Sequence, residues 1–105
     1  MKKQDIYREI ENISRQVIER YHPVKVILFG SAARNDAEVH DIDLFIVKKD
    51  VPYYGSDRSS ELYRLIETNA PVDYIVYKPE EAEERLTLGD PFIVKIFREG
   101  KVLYG

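Results

Sequence analysis

Apolar residues recur every three or four positions through the first twenty residues of this 105-residue chain. Ile6, Ile10, Ile13, Val17 and Ile18 share one side of a 3.6-residue repeat, with charged residues between them. The spacing predicts a helix from about Asp5 to Tyr21 that closes before Pro23. The period then changes. Val24 to Phe29, Ile42 to Val47 and Val72 to Tyr77 are short, rich in β-branched and aromatic residues, and read as strands. Gly30 can supply a tight turn after the first of them. Ser31 to Arg34 reads as a short helix ended by Asn35, a residue that tolerates the left-handed conformation, and Asp36 to His40 reads as loop.

Lys48 to Asp57, with Pro52 and Gly55, reads as a polar loop. Asp57 or Ser59 is expected to cap a helix striped by Leu62, Leu65 and Ile66, broken at Asn69-Ala70-Pro71. Pro79 opens a short acidic helix. Asp90-Pro91 has the form of an N-cap followed by proline at the first helical position. That last helix carries Phe92, Ile93, Ile96 and Phe97 and stops at Gly100, and Lys101 to Tyr104 can add a short final strand. The elements imply an α/β (α+β) fold, a small mixed sheet with helices packed on it. Without repeats, linker or low-complexity tract, residues 1–105 are expected to form a single domain.

Composition narrows the function. A net charge of −3 argues against nucleic-acid binding through a broad basic surface, so no direct nucleic-acid partner is expected. It leaves room for a small acidic site that takes a nucleotide through metal. The absence of cysteine removes disulfides, zinc–thiolate sites and thiol nucleophiles. No signal peptide or spanning stretch is visible, so a cytoplasmic protein without a membrane partner is expected.

The candidate chemistry lies in Leu28-Phe29-Gly30-Ser31 and Asp41-Ile42-Asp43. Side chains alternate along a strand, so Asp41 and Asp43 leave the same face while Ile42 and Leu44 take the other. Two adjacent like charges repel, and a divalent cation with oxygen ligands, such as magnesium, relieves the repulsion. Asp73 stands near the start of the third strand. The Gly-Ser turn ends one strand and the Asp pair opens the next, so they meet only if these strands are antiparallel. Asp73 joins them only if the third strand runs parallel to the second, which requires a long crossover. The sequence supplies one, with the Glu61 to Thr68 helix inside it. Three carboxylates at one rim facing a Gly-Ser turn suit nucleotidyl transfer from a nucleoside triphosphate to a hydroxyl. Triphosphate would lie on the turn and metal on the acids, with the third acid sharing a metal or taking the nucleophile's proton.

Leu28-Phe29-Gly30-Ser31-Ala32-Ala33-Arg34 through Asp41-Ile42-Asp43-Leu44 resembles the signature of the DNA polymerase β-like nucleotidyltransferases. It resembles more closely their minimal nucleotidyltransferase group. The likeness extends to Pro91-Phe92-Ile93 and the closing Gly100-Lys101-Val102-Leu103-Tyr104. The resemblance implies two magnesium ions and ATP as substrate. It implies triphosphate contacts from Gly30, Ser31 and Arg34, metal ligands at Asp41 and Asp43, and a third acid at Asp73. It also implies a HEPN-type toxin as partner, with this chain as antitoxin transferring AMP to a tyrosine of that partner. Ala32 stands where many members carry arginine, and Asn35 where they carry glycine. Nine residues separate Ser31 from Asp41, one fewer than the family spacing.

Blander readings stand beside these. The aspartates can be turn acids, Asp73 an edge-strand surface residue, and Gly30-Ser31 an ordinary turn. Arg34 can be a solvated charge, and His40 an exposed loop residue rather than a phosphate contact. Tyr53 and Tyr54 can stack on a base, or cover a core edge or partner contact. The Glu80, Glu81, Glu83, Glu84 run reads as a solvated helix face. Against transfer stand an antitoxin or nucleotide-binding module acting by contact alone, a transferase for small-molecule hydroxyls, and a purely structural domain. A homodimer stays open.

Overall fold

The structure, a computed structural model, describes residues 2–39 and 41–105. The first helix, α1 (Lys3–Tyr21), ends on His22 in the left-handed conformation, one residue before the proline that forbids its continuation. Then follow β1 (Lys25–Phe29), the one-turn α2 (Gly30–Arg34), β2 (Ile42–Val47), α3 (Gly55–Leu65) and β3 (Val72–Tyr77). The chain closes with α4 (Pro79–Thr87), α5 (Pro91–Glu99) and β4 (Lys101–Tyr104). Asn35 caps α2 with φ 60°, as its residue type suggests. Asp90 caps α5, its side chain accepting from the Phe92 and Ile93 amides.

The four strands lie in the order β3-β2-β1-β4. β1 runs antiparallel to β2 and to β4, and β2 runs parallel to β3, with α3 in the crossover. Both sheet faces are covered. Val26, Leu28, Ile42, Leu44, Ile46 and Tyr74 face the Ile6, Ile10, Ile13 and Val17 stripe of α1 and Leu62 of α3. Ile27, Phe45 and Val47 face Ala82 of α4 and Ile93 and Ile96 of α5. Burial on both sides explains why β2 reads as a nearly unbroken apolar run after Asp43.

The third helix departs from the sequence expectation. It starts at Gly55 and ends at Leu65, so Asp57 and Ser59 lie inside it, and no side chain caps its N-terminus. Two buried polar residues account for the shift. Arg58, 4 % exposed, donates from Nε to the Pro52 carbonyl at 2.6 Å and from Nη2 to the Tyr53 carbonyl at 3.1 Å. Its Nη1 reaches the Val76 carbonyl at 3.0 Å and Glu81 Oε1 at 2.7 Å. With residue 58 inside the helix, this guanidinium ties the preceding loop, β3 and α4 together. At the other end, Gln16 of α1 pairs with the Glu67 backbone, accepting from its N–H and donating to its carbonyl, each at 2.8 Å. That amide captures backbone groups that helical continuation would need. Glu81 therefore leaves the solvated acidic face of α4 to hold Arg58.

Candidate active site

The register of three strands builds the site. Phe29 ends β1 and lies opposite Asp43, and Asp43 lies beside Asp73 in the parallel pair. Cross-strand partners share a face and stand about 5 Å apart. Phe29, Asp43 and Asp73 thus form a row across one rim of the sheet, on the face that carries Phe45. Asp41, two residues before Asp43, leaves the chain on that same side by alternation. Asp41 and Asp73 are exposed and Asp43 is half-buried.

The turn presses on this row. Gly30 has φ +72°, and a Cβ there would overlap Asp43 Oδ2 and stand 3.2 Å from Asp43 Cγ. Glycine is required twice, for the backbone angle and for the close approach. The Ser31 carbonyl accepts from the amides of Asn35 and Asp36, which folds the turn back on itself. Arg34 pairs with Asp36 at 3.0 Å and keeps about half of its side chain exposed.

Electrostatics shows that the acids feel one another. The Asp43 carboxyl is held above the usual carboxylate range, first by burial, then by the charges of Asp73 and Asp41 and a hydrogen bond to Asp73. The Arg34 guanidinium acts in the opposite direction. A half-buried carboxylate whose proton affinity is raised by neighbouring negative charge is one where a cation replaces the proton with gain. Among the described residues no three acidic or imidazole groups already close around one ion. The donor set still fits magnesium, which is held by one or two carboxylates and completes its octahedron with water and substrate phosphates.

Beside Gly30 lies a cavity of about 250 Å³ lined by Phe29, Gly30, Arg34, Phe92, Lys95 and Glu99, among others. Phe29 and Phe92 meet edge to face, 5.9 Å apart, and form its apolar corner. Sequence reasoning did not find the α5 side of this cavity. The signal was the helical spacing of residues 92, 95, 96 and 99, which marks a shared face but not what the face covers.

The six expected site residues, Gly30, Ser31, Arg34, Asp41, Asp43 and Asp73, thus come to one rim. Tyr53 and Tyr54 do not. They follow the far end of β2, a strand length from the aspartates, and pack on each other at 5.0 Å. The pair therefore does not flank the aspartates. His40 lies outside the described residues.

The sequence matches the nucleotidyltransferase domain family over residues 10–104, which includes every residue of the rim. The fold is similar to the crystal structure of a provisionally named nucleotidyltransferase from Sulfolobus solfataricus. That likeness has a TM-score of 0.60 and 29% identity over 80% of this chain and 81% of that one. No curated protein matches significantly. With matching sequence, matching fold and the Gly-Ser turn set against paired aspartates, this chain belongs to the nucleotidyltransferase domain family.

Proposed function

We propose that residues 1–105 act as one catalytic unit in the cytoplasm and transfer AMP from ATP to a hydroxyl, with magnesium on Asp41, Asp43 and Asp73. The observation that carries this reading is the in-register pair Asp43–Asp73, with Gly30 packed on the Asp43 carboxylate. In the balanced step the acceptor oxygen bonds to the α-phosphorus, the bond from that phosphorus to the α–β bridging oxygen breaks, and pyrophosphate leaves. The hydroxyl proton passes to Asp73, the acid on the edge strand, or to water. Gly30 lets the triphosphate approach the backbone, Ser31 offers a hydroxyl donor, and Arg34 offers charge to the phosphates. Magnesium, held by Asp41, Asp43 and Asp73, would supply charge neutralisation at the phosphates.

The acceptor we infer is a tyrosine on a HEPN-type partner, which this chain would neutralise as an antitoxin. The openness of the rim supports a macromolecular acceptor: Asp41 and Asp73 are exposed, so a partner surface can reach the reacting phosphorus. The test is incubation of the pair with α-labelled ATP and magnesium. Label is expected on the partner with wild type and is expected to vanish with Asp41→Asn plus Asp43→Asn. Neutralisation that persists in that double variant, without label, would leave binding alone as the function.

A further inference from the structure

We propose that Lys95 is a second cation for the polyphosphate tail, acting across the cavity from Arg34. This inference rests on the nucleotidyltransferase reading of the rim and adds a residue from a different element to it. The cavity is lined by Gly30 and by Phe29, the cross-strand neighbour of Asp43. A nucleotide whose α-phosphate lies at the aspartates and whose tail follows the turn toward Arg34 enters this cavity with its β- and γ-phosphates.

Two cationic side chains line the cavity, Arg34 from α2 and Lys95 from α5, against one carboxylate, Glu99. In a chain of net charge −3 that local excess is not the average of the surface. Arg34 has an ion-pair partner in Asp36, whereas Lys95 has no ion-pair or hydrogen-bond partner among the described residues. Phe29, Phe92 and Ile96 supply the apolar part of the lining beside these charges. Lys95 lies on the same helical face as Phe92 and Glu99, and all three line the cavity. Its three rotatable donors suit phosphate oxygens.

The test is direct binding of ATP, AMP and inorganic tripolyphosphate, each with magnesium, to wild type, Lys95→Ala and Lys95→Arg. Lys95 is exposed, so both variants should fold, and thermal melting checks this. Losing one charge-assisted contact should weaken ATP and tripolyphosphate about tenfold or more, and leave AMP within about twofold. Arginine should restore most of the loss. Equal weakening of ATP and AMP would assign the pocket to base or ribose and overturn the inference. ATP binding unchanged in Lys95→Ala, with label transfer intact in wild type, would overturn it while leaving the transferase reading in place. Selective loss of tail affinity without any transfer by wild type would do the reverse. Wild type that binds none of the three probes would sink both.

Discussion

Gly30 shows how much one residue can carry. Its positive φ would cost a side-chain-bearing residue about 1–2 kcal/mol, and a Cβ would also displace the Asp43 carboxylate. Gly30→Ala is therefore expected to lower stability by roughly that amount and transfer activity by far more. Parallel thermal melts and labelled-transfer rates would check this, and activity close to wild type would contradict it. The glycine was legible in the sequence as a turn. Its contact with Asp43 was not, because the contact is made across two strands and is set by their register.

At the scale of elements, Arg58 ties the loop after β2, the end of β3 and α4 together. Arg58→Ala would orphan the carbonyls of Pro52, Tyr53 and Val76 and open a cavity, at a cost of about 3 kcal/mol or more. Urea unfolding would measure it. The Glu81 carboxyl is held below the usual carboxylate range, chiefly by its hydrogen bond to Arg58. A lowered folded-state value means that this stabilisation is full above the unfolded value near 4.5 and is lost as pH falls through the folded one. Glu81→Gln should then be less stable than wild type at pH 7, and the difference should shrink in strongly acidic solution. A gap that persists unchanged at pH 2 would remove the ion pair from the explanation. Neither partner stood out in the sequence. One of two arginines in a polar helix and one glutamate in an acidic run look solvated until the fold brings them together. The boundaries of α3 were missed for the same reason: contacts with β3, α4 and α1 fix them, and local propensity does not.

For the molecule as a whole, the site exists because the topology gathers it. An antiparallel hairpin brings the Gly-Ser turn to Asp43, and a parallel crossover brings Asp73 alongside. Those carboxylates repel in the folded chain and are free to separate in the unfolded one. Magnesium should therefore stabilise wild type by RT ln(1 + [L]/Kd) and so raise its melting temperature, and ATP should raise it further. The magnesium effect should disappear in Asp43→Asn plus Asp73→Asn, and differential scanning fluorimetry at pH 7 would read it. A shift of equal size in that variant would place the cation elsewhere. No helix among the described residues is long and apolar enough to cross a membrane.

The sequence by itself determined the strands and most helix ends, and it singled out the six residues that the fold brings to the rim; the strand directions it stated only as conditions for those residues to meet. Periodicity, caps and the Gly-Ser and Asp-x-Asp motifs are local, and local patterns act through chain geometry alone. Only the tertiary structure decided that α5 closes a cavity against Phe29 and Gly30. It alone seated Arg58 on Glu81, and it set Tyr53 and Tyr54 at the end of the sheet away from the acids. Those outcomes depend on how helices dock on sheet faces, which is a matter of shape and burial between residues far apart in the chain.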